Sequence, residues 1–249
     1  MENHRTTLYT TLAAVYDAMY RTFIDYDEEF IFYNGLLQQH HCRSVLEIGC
    51  GSGHLASRLS PHVAYTGMDI SADMLALARQ HAPDVRFMEA DMTDFTVAEP
   101  FDAVLITARS ISYVLTNAQV LSAFRHIAGA LNPEGILIFD FIEATSFFDR
   151  LQPDQVLVHD ASFGTADYRR ESRYVPNLAT GLTWNWHSAY FARQRGDGSF
   201  AEIGRDLATL RAFLPFEVKL LLKEAGFSVV ETIVKSSYAF DTHVIIANV

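Results

Sequence analysis

The chain has 249 residues, of which 49% are hydrophobic and 20% are charged, which places it with soluble globular proteins rather than disordered, collagenous or disulfide-rich ones. Thirty acidic residues against nineteen basic ones give a formal net charge of −11, which disfavours phosphate backbones and anionic lipid as partners. With two cysteines, no signal-like N-terminus and no apolar run near the roughly 18–20 residues of a membrane span, we expect reduced thiols, no membrane partner and a cytoplasmic location.

Short apolar runs alternate with amphipathic stretches, which is typical of a parallel sheet covered by helices. The pattern predicts helices over 8–20, 27–40, 54–59, 72–81, 118–131 and 216–225, and strands over 44–48, 64–69, 85–89, 103–107, 136–141, 228–234 and 243–249. Asn132-Pro133-Glu134-Gly135 predicts a turn before the fifth strand. Between 155 and 213 the pattern changes to alternation typical of antiparallel strands, with a hairpin signal at Gly196-Asp197-Gly198. We therefore predict an α/β fold, with a seven-stranded, mostly parallel sheet between helices and a small antiparallel insertion after the fifth strand.

A glycine loop, Gly49-x-Gly51-x-Gly53, joins a predicted strand to a predicted helix. Such a loop lets the backbone approach a ligand closely, and the helix N-terminus favours a negative group. Asp69 ends the next predicted strand, where a carboxylate can accept both hydroxyls of a ribose. A dinucleotide site prefers a third glycine at position 54, which holds His54, and Glu47 lies inside the preceding strand. An NAD-dependent oxidoreductase is therefore a disfavoured alternative.

Residues 45–53 resemble the first motif of the class I S-adenosylmethionine (SAM) dependent methyltransferases, and residues 67–75, 89–92 and 101–106 resemble later motifs of that family in the same order. The resemblance implies a Rossmann-like fold, SAM as cofactor, S-adenosylhomocysteine (SAH) as product, and no metal. It also implies a set of cofactor contacts. These are Glu47 on the methionine amino group, the loop residues Gly49, Cys50 and Gly51, Asp69 on the ribose, Ile70 and Met74 flanking the adenine, Asp91 and Met92 on the adenine edge, and Thr107. Ile70 and Met74 fit a core role equally well, since they lie four residues apart at a helix start.

The N-terminal run Tyr16-Asp17-Ala18-Met19-Tyr20, followed by Asp25-Tyr26, resembles the Y-D-x-x-Y … D-Y signature of small-molecule methyltransferases, most closely the amino-sugar N,N-dimethyltransferases of the desosamine and mycaminose type. In that family the segment closes over SAM. The resemblance implies that Tyr16, Tyr20 and Tyr26 contact the cofactor or the active site, and that Tyr20 also contacts the substrate. The alternative is that Tyr16 and Tyr20 form a helical stripe packed on the sheet.

After the fourth predicted strand, Ser110-Ile111-Ser112-Tyr113 resembles the S-S-x-G-(Tyr or His) loop of the same amino-sugar enzymes, with Ser112 in place of the glycine. Ser110 and Tyr113 are accordingly candidate substrate contacts, and Tyr113 is a candidate general base. The (Asn/Asp)-Pro-Pro-(Tyr/Phe) element that holds a flipped base is absent from the sequence, so we expect no nucleic-acid partner.

The insertion carries the candidate acceptor residues. Alternation places Trp184, Trp186 and Ser188 on one face and Asn185 and His187 on the other. His187 is a second candidate base, with an exposed strand histidine as the alternative. Arg169, with its neighbours Arg170 and Arg173, and Arg211 in the family's closing segment are candidate anion or substrate contacts, although solvated arginines need no such role. Ala208 stands where many relatives have a histidine.

We predict three parts: an N-terminal helical cap (1–42), a SAM-binding domain (43–143 and 214–249) and an antiparallel lid that binds the acceptor (144–213). The predicted activity is methyl transfer by direct in-line displacement to a small-molecule amine, such as an amino sugar. An O-methyltransferase acting on a carboxylate or hydroxyl is the alternative, and a non-catalytic SAM-binding protein is a third interpretation. A monomer and a homodimer both fit.

Overall fold

The structure, a computed structural model, describes residues 6–152, 154–179, 181–196, 198–235 and 242–249. The strands are β1 (Ser44–Ile48), β2 (Ala64–Asp69), β3 (Arg86–Glu89), β4 (Phe101–Ile106), β5 (Leu131–Phe141), β6 (Leu157–Phe163), β7 (Ala166–Pro176), β8 (Thr183–Gln194), β9 (Ala201–Arg211), β10 (Ser228–Lys235) and β11 (Thr242–Asn248). The helices are α1 (Ala13–Tyr20), α2 (Tyr26–Gln39), α3 (His54–Leu59), α4 (Ala72–His81), α5 (Asn117–Gly129), α6 (Ala144–Arg150) and α7 (Pro215–Glu224), with short 3₁₀ helices at Thr7–Tyr9 and Ser110–Tyr113.

Seven strands form the main sheet in the order β10-β11-β5-β4-β1-β2-β3. β11 runs antiparallel to both of its neighbours, and the other neighbouring pairs are parallel. The chain order reverses between β1 and β4, so the crevice above their carboxyl ends is where an α/β sheet of this kind binds ligands. The predicted α/β fold, with its mostly parallel seven-stranded sheet and separate antiparallel sheet, is confirmed.

Two apolar layers cover the main sheet. Leu46, Val104 and Phe139 point into one layer with α5 and α7, and Val45 and Leu105 point into the other with α2 and α3. These side chains are fully buried because a central parallel strand is covered on both faces. The loops above the sheet are therefore held on a rigid platform.

The predicted elements differ from the structure in three places. The helix predicted over 8–20 is interrupted at residues 10–12, where the Thr10 hydroxyl donates to the carbonyls of Thr6 and Thr7 and competes with helical bonding. Helix α6 was not predicted, and it begins where the Glu143 carboxylate accepts two backbone N–H groups. The turn predicted at residues 132–135 is a bulge within β5, since Leu131 pairs with Phe101 and Ile136 with Ala103.

The remaining strands form a four-stranded antiparallel sheet in the order β6-β7-β8-β9, here called the small sheet. β8 and β9 pair as a hairpin, although Asp197 of the predicted turn lies outside the described residues. The chain leaves and re-enters the main domain at one point, because Ala144 donates to the Phe213 carbonyl and Phe213 donates to that of Ile142. Among the described residues there is no helix with the length and apolar character that a bilayer span requires.

One face of the small sheet, here called its inner face, is covered by α6 and by the N-terminal segment. Trp184 packs against Phe147 of α6 at 4.2 Å between ring centroids, and Tyr190 packs in a cluster with Leu8, Met19 and Tyr20. Tyr113, in the 3₁₀ helix after β4, also packs against this face. The small sheet is thereby joined to the carboxyl end of β4.

Candidate active site

A cleft opens above the carboxyl ends of β1, β4 and β5. One wall is the glycine loop 49–53, and a second is formed by residues 107–109 and Asp140. Tyr16, Tyr26 and Glu29 close the third side from the N-terminal helices. Four separate stretches of sequence therefore meet at one site.

The glycine loop has a backbone that other residues adopt poorly. Gly49, Gly51 and Gly53 have φ values of 74°, 55° and 81°. A Cβ on Gly49 would lie 2.5 Å from the Ser110 Oγ, and one on Gly53 would lie 2.9 Å from the backbone of Ala78. The Ser110 hydroxyl itself donates to the Thr107 carbonyl at 2.8 Å. The absence of side chains thus lets Gly49 pack against the segment after β4 and Gly53 pack against α4.

Asp69 anchors this loop at the end of β2. Its carboxylate accepts the N–H of Gly51 and the N–H of Ser71, both at 2.9 Å. Burial raises the pKa of Asp69, against the lowering effect of these backbone hydrogen bonds. Gly49, Gly51 and Asp69, which are predicted cofactor contacts, thus lie close together. The buried Cys50 lies between the two glycines.

The predicted adenine residues follow β2 and β3, on the side of the loop away from β4. Ile70 is 36% exposed, whereas Met74 is 1% exposed with its Cε close to Gly51. Asp91 accepts the N–H and the hydroxyl of Thr93 at 2.8 and 2.7 Å, and Met92 packs on the core below. Their contacts with adenine stay predictions, since these four residues lie beside the cleft rather than in its wall.

Glu47 lies at the floor of the cleft and is 1% exposed. Its carboxylate accepts the Thr107 hydroxyl at 2.6 Å and the Tyr65 hydroxyl. Burial raises its pKa to about 7 despite these two donors. A cationic ligand group above Glu47 would favour the ionised carboxylate, so the donor set fits the ammonium of a methionine moiety.

Arg109 and Asp140 are two charged cleft residues that the sequence did not reveal. Ala108 and Arg109 both have positive φ, and the Arg109 N–H donates to the Asp140 carboxylate at 2.7 Å. Both Arg109 and Asp140 are buried and line the cleft. Burial raises the pKa of Asp140 to about 6, and the Arg109 charge opposes that rise. The signal that was available is a charged residue placed directly after a buried strand.

Four tyrosines meet beside the cleft. The rings of Tyr16 and Tyr20 stack at 3.9 Å, and Tyr9 meets Tyr16 edge-on at 5.3 Å. The hydroxyls of Tyr9 and Tyr113 lie 2.7 Å apart. Burial, and then the neighbouring Tyr113, raise the pKa of Tyr9 well above its ordinary value, so this phenol stays neutral. Tyr9 was missed because it precedes the recognised signature.

Arg170 brings a buried charge to these tyrosines from β7. It is 2% exposed and donates to the Tyr20 hydroxyl, with its guanidinium 5.2 Å from the Tyr20 ring centroid. The Trp186 ring centroid also lies 5.2 Å from this guanidinium. The small sheet therefore turns Arg170, rather than Arg169, toward the N-terminal helix.

A second polar cluster holds α1 on the glycine loop. Asp17 accepts a hydrogen bond from His54 at 2.7 Å and pairs with Arg21 at 3.2 Å. His81 bonds the Ser52 carbonyl through Nδ1 at 2.7 Å, and its Nε2 faces Arg21 at 3.3 Å. Asp17, His54 and His81 have metal-ligand chemistry with atoms within 4.8 Å of one another, but Arg21 already supplies a cation to them. Tyr26 packs on His54 at 4.6 Å, beside the cleft.

Three predicted residues lie elsewhere. His187 is exposed on the outer face of the small sheet, opposite Arg173, as the alternation of β8 predicted. Arg169 pairs with Asp160 at 2.7 Å on the same exposed face. Arg211 is buried and donates to the Leu115 carbonyl, Asn117 and Glu217. The structure does not bring these three side chains to the cleft, so their catalytic or substrate roles stay predictions.

Comparison with known proteins identifies the class. Residues 45–135 match the family described as a methyltransferase domain. The chain is 30% identical over 197 residues to a protein of Geobacillus sp. (strain WCH70) that is named as a methyltransferase. The match covers 76% of this chain and 75% of that protein. The chain therefore belongs to the methyltransferase family, and its motifs and fold make it a SAM-dependent enzyme of class I.

Two further relatives bear on this class. A dTDP-3-amino-3,6-dideoxy-alpha-D-glucopyranose N,N-dimethyltransferase of Streptomyces fradiae is 29% identical over 151 residues, covering 59% of this chain and 58% of that enzyme. The crystal structure of Streptomyces venezuelae DesVI superposes with a TM-score of 0.81 at 23% identity, covering 94% of this chain and 97% of that one. At that identity the superposition shows the shared fold, small sheet included.

Proposed function

We propose that this enzyme methylates an amine of a small molecule, with nucleotide-linked amino sugars as the leading acceptor class. The tyrosine cluster carries the proposal, because Tyr9, Tyr16, Tyr20 and Tyr113 join the cleft to the inner face of the small sheet. Phenol oxygens can accept hydrogen bonds from an amine, and aromatic faces attract the sulfonium and ammonium cations of this reaction.

The protein's contribution is mainly alignment. When bound, SAM would supply a methyl group to an uncharged acceptor nitrogen: the carbon–nitrogen bond would form in line as the carbon–sulfur bond breaks and SAH leaves, without a covalent enzyme intermediate. Glu47 holds the ammonium of the methionine end, Asp69 holds the ribose, and Tyr16 and Tyr26 cover the cleft from the N-terminal side. Burial beneath α1 and α2 keeps water away from the reacting groups.

Tyr9 and Tyr113 have different roles in the proposed reaction. The neutral Tyr9 acts as a hydrogen-bond partner, since its raised pKa makes it a poor base near pH 7. Tyr113, whose hydroxyl lies 2.7 Å from that of Tyr9, orients the acceptor nitrogen or takes its proton. His187 has no part here because it lies on the outer face of the small sheet.

The amino-sugar class is supported by the tyrosine signature at 16–26 and by the substrate named for the Streptomyces fradiae relative. Arg170 favours a second candidate, O-methylation of a carboxylate, because a guanidinium pairs well with an anionic acceptor. We rank it second, since Arg170 does not line the cleft and already donates to Tyr20.

The test is methyl transfer from labelled SAM to matched acceptor sets: dTDP-linked 3-amino-deoxy sugars, their 3-hydroxy counterparts, small carboxylic acids, and protein or RNA. Label on the amino sugars or on other small amines, and reduced transfer by Tyr113→Phe but not by Tyr168→Phe, supports the proposal. Label confined to hydroxyls or carboxylates overturns the amine in favour of O-methylation. Label confined to macromolecules overturns the small-molecule class.

A further inference from the structure

Ser71 joins the main domain to the N-terminal segment. It is the N-cap of α4, where its hydroxyl oxygen accepts the Met74 N–H at 3.2 Å. The same hydroxyl donates to the backbone carbonyl of Tyr9, 62 residues earlier in the chain. A serine hydroxyl has one donor and two acceptor lone pairs, so it can cap the helix and hold Tyr9 at the same time. Because Ser71 is only 2% exposed, water competes little with these two bonds.

The backbone of Ser71 is tied to the carboxylate that is predicted to bind the ribose. Asp69 accepts the Ser71 N–H through one carboxylate oxygen and the Gly51 N–H through the other, both at 2.9 Å. A ribose held by Asp69 would use the remaining lone pairs of the same two oxygens. Cofactor binding at Asp69 would therefore restrict the turn that carries Ser71.

Tyr9 is held through its backbone and through its side chain. The Leu8 N–H donates to the Asp206 carboxylate of β9 at 3.2 Å, and the Tyr9 carbonyl accepts the Ser71 hydroxyl. The Tyr9 hydroxyl lies 2.7 Å from that of Tyr113. These contacts come from the small sheet, from the start of α4 and from the segment after β4. The position of the Tyr9 phenol therefore depends on all three parts of the fold.

We propose that Ser71 is a positioning residue that couples cofactor binding to the placement of Tyr9. When the cofactor occupies Asp69, the restricted turn holds the Tyr9 carbonyl through the Ser71 hydroxyl and keeps the Tyr9 phenol beside Tyr113. The acceptor side is thereby completed once the cofactor is in place, so the two ligands bind cooperatively. The contact of Tyr9 and Tyr113 with the acceptor rests on the proposed function, whereas the coupling between Ser71 and Tyr9 does not.

The experiment is hydrogen exchange with and without saturating SAH, in the absence of any acceptor. In the wild type, SAH is expected to slow exchange of the amides of residues 8–12 by about tenfold, because Ser71 holds that segment when Asp69 is occupied. Ser71→Gly removes the hydroxyl, and glycine is well tolerated at an N-cap. In this variant the effect of SAH on residues 8–12 should fall below about twofold, whereas SAH still protects the glycine loop 49–53.

Ser71→Thr retains the hydroxyl and should restore the wild-type effect, and Ser71→Ala is a second variant with the same expected result as Ser71→Gly. Thr116→Gly, the same kind of change at the N-cap of α5, controls for the loss of a cap, and thermal unfolding checks folding.

Three results overturn the proposal: residues 8–12 that SAH does not protect in the wild type, SAH protection of these residues that persists in a folded Ser71→Gly protein, and an equal loss of protection in the glycine loop. The last result would make Ser71 a general structural residue. Failure of the amine proposal is distinguishable, because it changes which acceptor is labelled and not how SAH alters exchange.

Discussion

The Arg170 guanidinium donates a hydrogen bond to the phenol oxygen of Tyr20, 150 residues earlier in the chain. Tyr20 ends α1, and Arg170 lies in the middle of β7. The contact joins the N-terminal helix to the inner face of the small sheet at the place where Tyr16 reaches the cleft. The proposed substrate side of the site therefore combines an N-terminal helix with a strand of the small sheet.

We expect Tyr20→Phe to lower turnover by about tenfold and to change SAH affinity by less than about twofold. The lost hydroxyl leaves the buried Arg170 without this acceptor and weakens the contact between α1 and the small sheet. Steady-state kinetics with the identified acceptor and SAH calorimetry measure the two quantities. Tyr168→Phe, in the same strand as Arg170, is the control. Wild-type turnover in Tyr20→Phe would reduce Tyr20 to a packing residue.

Asp69→Ala is expected to weaken SAM and SAH binding by about 1–3 kcal/mol, because it removes the predicted ribose contact and the anchor of the Gly51 N–H. Calorimetry gives the affinity, and Asp73→Ala on the exposed side of α4 controls for charge. Unchanged affinity in a folded Asp69→Ala protein would remove Asp69 from the site.

SAH affinity is expected to fall by about five- to tenfold between pH 7.5 and pH 6. Burial raises the pKa of Glu47 to about 7, so as the pH falls the ligand-free carboxyl takes a proton that must be released before it can face an ammonium. Calorimetry in buffers of different ionisation enthalpy should detect that released proton. In Glu47→Gln most of the pH dependence should disappear; if it persists, Asp140, with a pKa of about 6, is the titrating group.

Asp17→Asn is expected to loosen α1. Burial opposes ionisation of Asp17, but the hydrogen bonds from His54 and Ser52 outweigh it and lower the pKa. A lowered carboxyl pKa means that the stabilisation is present at neutral pH and is lost only as the pH falls through the folded-state value. Hydrogen exchange at pH 7 should show faster exchange in residues 13–20 of the variant, with α5 unchanged. Asp27→Asn, an exposed acid at the start of α2, is the control, and equal exchange in α1 would contradict the assignment.

His187→Ala is expected to keep turnover within about twofold of the wild type, because an exposed residue on the outer face of the small sheet cannot reach an acceptor near Tyr113. The pH profile of turnover should keep its shape as well. Loss of the acidic limb of that profile in His187→Ala, together with a large fall in turnover, would restore His187 as the general base.

The local patterns of the chain predicted the main sheet because strand and helix periodicity is set by neighbouring residues. Alternation in β8 likewise separated Trp184 and Trp186 from His187. Glu143 was not identified as a helix cap because glutamate is an uncommon one, and α6 was missed with it.

The loops predicted to bind the cofactor could be identified from the sequence because their glycines and acids lie next to their own strands. Tyr9, Arg109 and Arg170 could not, because their roles depend on partners 104, 31 and 150 residues away. Tertiary packing, rather than local spacing, decides which of several adjacent polar side chains faces a cleft. Arg169 and Arg170 are the clearest example, since one residue of register separates an exposed ion pair from a buried contact.

The seating of the N-terminal segment on the small sheet constrains how acceptor preference can be re-engineered. The Leu8 N–H donates to the Asp206 carboxylate at 3.2 Å. Gly204 leaves room for Leu12, since a Cβ on Gly204 would lie 3.0 Å from the Leu12 side chain. A chimaera that receives a relative's residues 144–213 but keeps its own first two dozen residues would lose these contacts together with the Tyr20–Arg170 bond. The two segments must be exchanged as one cassette, while the glycine loop and β1–β4 can stay in place.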